Sequence, residues 1–464
     1  MTHFAGRVVR VAGWLLLAYL AGILVAALIS NGWLGLVVGS GGLLVAVVSM
    51  QKMGDRRPVF SERLIWTALM MIVLALLLAA NRNTTMGSAP GRTWAALLLA
   101  GAALILTFVG LPRRHVPGTR RYWVVAMLSA LVLTGIAIDS LAAYRSESVD
   151  VTNGEVRLSG TLLLPRREGR FPLVAFIHGA GPSPGDTFRH LGDLLARRGV
   201  AALMWDKRGS GGSVGGSPRD GFDELSSDVV AWVEAIGKRD DIDPTRIGLW
   251  GLSEGAWIAA TAAETLDGVT AMVLESPGVG FGETVYYEHS WRLRNAGLSE
   301  ADIERAVQLR NQINHYYRTA ADRANILAEL EAAQDEAWYE AAIEVGLLPR
   351  PAGVTYPDDP ETVAFMDLQD FTLLTALSNY QGPVLASFGL QDQCNPAEES
   401  AGIIEDTLTG QGNDHVILVY PDASHAIVRW LAGASCGTAN VPPAWYPAGY
   451  VHETTAWVTN HLRP

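Results

Sequence analysis

Gly251-Leu252-Ser253-Glu254-Gly255 places a serine between two glycines, each two positions away. A serine hydroxyl is a weak nucleophile until a base takes its proton, and the carbonyl it attacks becomes an oxyanion that needs donors. Flanking glycines permit a sharp strand-to-helix turn where larger side chains would collide. The helix that follows points its N-terminus at the developing negative charge. The apolar run RIGLW before the serine and the helix-forming run EGAWIAATAAE after it supply that context. Ser253 is therefore the candidate nucleophile; a glycine-rich turn without chemistry is the plainer alternative.

A serine needs a base, and the base needs an orienting carboxylate. Gly389-Leu390-Gln391-Asp392 follows the apolar run PVLASFG, and Tyr420-Pro421-Asp422-Ala423-Ser424-His425 follows the last apolar run of the chain. Each puts its functional residue at the carboxyl end of a strand, on the sheet edge that holds Ser253. The expected order is Ser253, Asp392, His425. Asp422 and Glu399 compete as the acid. His289 and His315 fall in a helical insertion, and His452 and His461 in the C-terminal tail, all worse placed as the base. Phe176-Ile177-His178-Gly179-Ala180-Gly181 follows the first central strand, and the backbone N–H groups of Ala180 and Glu254 are the expected oxyanion donors. His178 is expected to support that loop rather than act as the base. Asp206-Lys207-Arg208-Gly209-Ser210-Gly211 lacks the GxxxxGK[ST] spacing of a phosphate loop. It reads as a structural turn beside the serine, with Asp206 and Arg208 hydrogen-bonded locally.

The elements that must position these residues alternate. Short apolar strands at about 173–177, 201–205, 247–250, 271–275, 384–388 and 416–420 are interleaved with helices at 186–198, 222–238, 254–264 and 396–408, after an antiparallel strand at 155–165. This pattern predicts a mostly parallel sheet flanked by helices. The alternation breaks at a helical insertion, about 282–380, long enough to act as a lid. Its aromatic residues Tyr286, Tyr287, Trp291, Tyr316, Tyr317 and Trp338 could line an acyl pocket or fill the lid's own core.

The first third of the chain is different. Residues 1–144 carry twelve Lys/Arg against three Asp/Glu, a net +9, whereas the rest nets −21. Five apolar runs, about 8–29, 34–50, 64–80, 94–111 and 122–141, each approach the length that spans a bilayer as a helix. A cleaved signal peptide is a poor account of the first, because another run follows at once. The expected domains are a helical transmembrane domain over 1–144, in contact with membrane lipid, and a catalytic domain over 145–464. Loop charge alternates along the runs, which places the N-terminus in the cytoplasm and the catalytic domain on the opposite side. Asp139, near the end of the last run, is expected at the interface; anchoring is the simplest role for the runs, and transport the alternative. The two cysteines, Cys394 and Cys436, could form a disulfide in that oxidising compartment or remain free thiols. There is no CxxC or HExxH spacing, and the expected chemistry needs no metal or organic cofactor. No basic patch in the acidic part suggests nucleic acid, and oligomeric state is open.

HGAG, DKRGSG, GLSEG, GLQD and the late SHA resemble the α/β-hydrolase superfamily, and look most like bacterial esterases and acyl hydrolases related to serine aminopeptidases and dienelactone hydrolases. The resemblance covers about residues 149–462. It implies an α/β-hydrolase fold with a helical lid and hydrolysis by a serine triad; it does not cover the first third, where the apolar runs predict an all-α transmembrane domain of about five helices. A small-molecule or lipid-like carboxylic ester is the first choice of substrate, and an amide or peptide the second. A catalytically silent membrane sensor or interaction protein is the reading from another class. Two departures stand out: Trp257 sits where such elbows often carry a small residue, and GLQDQCNP holds a cysteine the pattern does not need.

Overall fold

The computed structural model describes residues 144–429 and 446–463. The five apolar runs and Asp139 lie outside the described residues; among those described, no helix is long and apolar enough to cross a membrane. The chain divides into two units between Ser146 and Glu147; the described residues belong to the second, apart from the three that begin its first strand.

Its centre is an eight-stranded sheet built from β1 (Tyr144–Asn153), β2 (Val156–Pro165), β3 (Phe171–Ile177), β4 (Ala201–Trp205), β5 (Ile242–Leu252), β6 (Val269–Glu275), β7 (Val384–Gly389) and β8 (His415–Tyr420). The strand order is β1-β2-β4-β3-β5-β6-β7-β8. β2 runs antiparallel to β4, and the pairs from β4 through β8 are parallel. Central strands read as continuous apolar runs because both faces are covered: every residue of β3, β4 and β7 is buried. The edge strand β8 is mostly half-buried.

Helices α1 (Arg189–Arg197), α2 (Phe222–Gly237) and α3 (Glu254–Ala263) follow β3, β4 and β5. Five helices then form a cap: α4 (Phe281–Asn295), α5 (Glu300–Thr319), α6 (Arg323–Ala332), α7 (Ala337–Glu344) and α8 (Pro360–Gln369). The cap has its own hydrophobic core, which includes Leu293, Ile313, Leu330 and Tyr339. The next helix, α9 (Leu373–Asn379), falls within the predicted insertion yet belongs to the sheet's core through Leu373, Ala376 and Leu377. Before it, Gly280 and Thr372 form an antiparallel bridge, flanked by backbone bonds from Phe281 to Phe371 and from Leu373 to Val279. The cap thus leaves and rejoins the sheet domain through one narrow neck. After α10 (Ala397–Gln411), a last helix, α11 (Tyr450–His461), packs against α1 and β6.

Ligands of open parallel sheets bind beyond the carboxyl ends of the strands, where the strand order reverses direction. Here the chain winds outward from β3 to β4 and returns to β5 on the other side of β3. The ends of β3 and β5 therefore flank the crevice in which a site is expected.

Candidate active site

Ser253 begins where β5 ends, and its backbone takes φ 55° and ψ −122°. A non-glycine residue with positive φ is strained, and such strain collects where the geometry of a side chain matters. The two glycines are required by contact. A Cβ on Gly251 would lie 2.1 Å from the Gly255 oxygen, and one on Gly255 would lie 2.3 Å from the Ile177 oxygen. The turn is held by the Ser253 amide donating to Glu275 O at 2.8 Å and the Ala256 amide donating to Ser253 O at 2.8 Å.

The loop after β3 runs against this turn. A Cβ on Gly179 would sit 3.3 Å from Leu252 O and 3.4 Å from the Ser253 Cβ, so Ala180 is the next residue along from the serine's neighbour. Lys207, buried in the loop after β4, forms an ion pair with Glu254 and donates to Gly179 O at 3.2 Å. His178 points away from any role as base. Its Nε2 donates to Trp205 O at 2.6 Å, and burial, with the Lys207 charge nearby, holds its pKa down to about 4. Asp206 accepts from the amides of Gly185 and Gly212, each at 2.7 Å. Arg208 grips both oxygens of buried Asp228, at 2.7 and 2.8 Å, and adds Asp220 at 2.9 Å. This loop is therefore a knitted turn that braces the elbow.

On the other side of the crevice, Asp392 follows β7 and His425 follows β8. His425 Nδ1 lies 2.8 Å from Asp392 Oδ2, and both residues are buried. Asp392 Oδ1 accepts the amides of Cys394 at 2.7 Å and Asn395 at 3.0 Å. The two loops meet because Gly389 lacks a side chain: a Cβ there would lie 2.4 Å from Ala423 O and 2.5 Å from Ser424 O. Gln391 N also donates to Ala423 O at 2.8 Å. The competing carboxylates are elsewhere. Asp422 is exposed and lies 3.5 Å from Arg429 Nε, and Glu399 is exposed on α10.

Asp392, Cys394 and His425 bring potential ligand atoms within 4.8 Å of one another, a set that could hold a metal ion. Their bonding argues against it. Cys394 is disulfide-bonded and offers no thiolate, and both Asp392 oxygens already have partners. Cys436, the other cysteine of the chain, lies outside the described residues.

Three contacts were not anticipated. Lys207 received no role in the sequence, because burial of a lysine beside an Asp and an Arg leaves no pattern. Tyr287 on α4 donates its hydroxyl to Asp392 O at 3.3 Å, which sets the cap over the acid loop. Asn395 Nδ2 donates to Ser276 O at 2.6 Å, tying the acid loop to the end of β6. Among the cap aromatics, Tyr316 and Trp338 fill the cap core, and Tyr286 and Tyr317 pack against it.

Residues 170–326 match the family model described as serine aminopeptidase, S33, and residues 361–446 match the dienelactone hydrolase family. A quorum-quenching protein, AidA, of Acinetobacter baumannii is 29% identical over 159 residues, 33% of this chain and 51% of its own. Esterase EstD of Thermotoga maritima is 27% identical over 173 residues, 35% of this chain and 40% of its own. The chain thus spans about half or less of the length of these curated relatives. Among solved structures, an esterase of Pyrococcus furiosus aligns at TM-score 0.42 and 17% identity, covering 69% of this chain and 90% of that one. Acetyl xylan esterase 1 from Thermoanaerobacterium aligns at TM-score 0.40 and 16% identity, covering 69% and 84%. Strand order, parallel register and the two family models together give the described residues from 147 onward an α/β-hydrolase-like fold.

Proposed function

We propose that this chain is a serine hydrolase that cleaves carboxylic esters through an acyl-enzyme. Ser253 attacks the carbonyl carbon while His425 Nε2 takes the hydroxyl proton. Asp392 holds the imidazole by Nδ1 and stabilises its charge. The amides of Ala180 and Glu254 receive the tetrahedral oxyanion. Collapse breaks the ester bond, and His425 returns the proton to the departing alcohol. Water, deprotonated by His425, then releases the acid and restores the serine. The observation that carries this reading is the buried His425–Asp392 pair at 2.8 Å, set at the ends of strands on the same sheet edge as a serine held with φ 55°. The serine aminopeptidase match contains Ser253, Glu254 and Ala180, and the dienelactone hydrolase match contains Asp392 and His425.

A fluorophosphonate probe applied to membranes tests the nucleophile. The wild-type chain is expected to label at Ser253 and the Ser253→Ala variant to stay unlabelled and inactive; labelling that survives the substitution rejects the assignment. Cleavage of amides is the second reading, favoured by the family model named for an aminopeptidase. p-Nitrophenyl esters of graded chain length, compared with aminoacyl amides, separate the two.

The reading extends to place. Residues 1–144 anchor the enzyme in a membrane, in contact with lipid, with the hydrolase domain outside the cytoplasm. The five apolar runs and their alternating loop charge support this. A protease added to intact cells is then expected to cut the hydrolase domain. Full protection, with cutting only in inverted vesicles, reverses the orientation.

A further inference from the structure

We infer that Lys207 is a positioning residue for oxyanion stabilisation, its buried ammonium bound to the peptide of the Ala180 amide and to the side chain of Glu254, the residue that carries the other donor amide. This rests on the assignment of Ala180 and Glu254 as the donors. Lys207 is 5% exposed and its Nζ has two partners, the Glu254 carboxylate and Gly179 O, the latter at 3.2 Å. Neither partner is incidental. The Gly179 carbonyl belongs to the same peptide unit as the Ala180 amide. A trans peptide is planar, with its C=O and N–H pointing in opposite directions. An ammonium that fixes the oxygen therefore fixes the direction in which Ala180 N–H points. Glu254 carries the second donor amide, and its side chain ends on the same ammonium.

The charge acts on the donor as well as on its direction. A cation at the carbonyl oxygen draws electron density through the peptide and strengthens the N–H at its other end. Lysine suits the task because its ammonium is a compact point charge with three donors. Its own position is built. The Lys207 amide donates to Ser183 O at 3.1 Å, which joins the loop after β4 to the loop after β3. Arg208, the next residue, is clamped to Asp228 below.

The test uses the full-length protein with Lys207→Met and, because a lone Glu254 carboxylate could upset folding, with Lys207→Met/Glu254→Gln, which leaves no unpaired charge. Two quantities are read: the rate at which a fluorophosphonate labels Ser253, and kcat per labelled serine with KM for p-nitrophenyl butyrate. Removing a whole oxyanion donor costs roughly 100- to 1,000-fold in kcat, so misdirecting one is expected to cost about 10- to 100-fold. KM is expected to stay within about twofold, since the oxyanion exists only after attack. Labelling is expected to slow in parallel, because the phosphonyl oxygen enters the same hole. A merely structural lysine gives a different result: fewer labelled sites and a lower melting temperature, but wild-type kcat per labelled serine. That outcome overturns the inference and leaves the hydrolase intact. A wild-type chain that does not label at Ser253 overturns the hydrolase reading first, and is seen before any substitution is made.

Discussion

Arg208 and Arg318 make the same kind of contact in opposite surroundings. Each guanidinium reaches a carboxylate, Asp228 at 2.7 Å and Asp370 at 2.6 Å. The side chains of the first pair are 6% and 4% exposed, and those of the second 47% and 63%. Other pairs extend the contrast, although the sheet domain also carries exposed pairs such as Arg157–Asp150. In the sheet domain, His425–Asp392 is also buried and Lys207–Glu254 nearly so, and both lie around the crevice. In the cap, Arg294–Glu300 and Arg350–Glu340 lie in water. Removing charges from water is costly, and is offset only by close geometry and full hydrogen bonding. The sheet domain meets that cost in the loops that pack around the crevice. The cap keeps these ion pairs in water and draws its cohesion from an apolar core of its own.

The largest effect that can break this contrast lies in the buried pair nearest the chemistry. Asp392→Asn keeps the shape but loses the charge and favours the wrong imidazole tautomer. A fall of about 10⁴-fold in kcat is expected, with the melting temperature little changed. A loss below tenfold, measured on p-nitrophenyl esters, removes Asp392 from the proposed mechanism. Next comes Arg208→Met, which leaves Asp228 buried without its cation. Breaking a buried pair from one side costs about 3–5 kcal/mol, read by denaturant unfolding. A cost under about 1 kcal/mol means that water reaches the pair, and the boundary between the two regions fails.

Such pairs also mark where the sequence was legible. Ser253, Asp392 and His425 each follow an apolar run, so topology alone sends them to one sheet edge. The His425–Asp392 contact turns on Gly389, a glycine already within the GLQD run. Trp257 was visible only as a departure. In the structure its Nε1 donates to Gly278 O at 2.7 Å, and its ring packs with Phe281 and Phe371 on the two sides of the neck, at centroid distances of 6.0 and 5.7 Å. The bulky residue behind the serine thus seats the root of the cap. Such a contact joins three distant segments, and no periodicity encodes it. Helix α11 lies in the segment that reads as a C-terminal tail, and its sequence YVHETTAWVTNH is rich in Thr and Val, which are weak helix formers. Burial of Tyr450, Thr454, Thr455 and Val458 overrides that preference.

A third test concerns Glu275, a carboxyl of the sheet domain buried at the end of β6, whose backbone oxygen anchors the Ser253 amide. Burial pushes its pKa from 4.5 up to about 8. Between those values the folded chain keeps a proton that the unfolded chain has released. The stability from this group is therefore full below pH 4.5 and is lost as pH rises through about 8. Glu275→Gln removes the slope. The variant and the wild type are expected to melt together near the low end of that window, with the variant melting higher above it. Parallel melting curves at every pH mean that the carboxyl is hydrated, and one buried titratable group is struck from the sheet side of the comparison.

The smallest effect is the control on the cap side. Arg318→Ala deletes the exposed pair with Asp370, one residue before the neck residue Phe371. Exposed pairs contribute about 0–1 kcal/mol, because water screens the attraction and two long side chains must be ordered to make it. The expected change in unfolding free energy is within about 1 kcal/mol, shrinking further with added salt. Labelling of Ser253 is expected to be untouched. A cost like that of Arg208→Met locates structural electrostatics in the cap as well. Slower labelling at unchanged stability has a different meaning: the pair beside the neck sets how the cap meets the crevice, and charge positions the site from both regions.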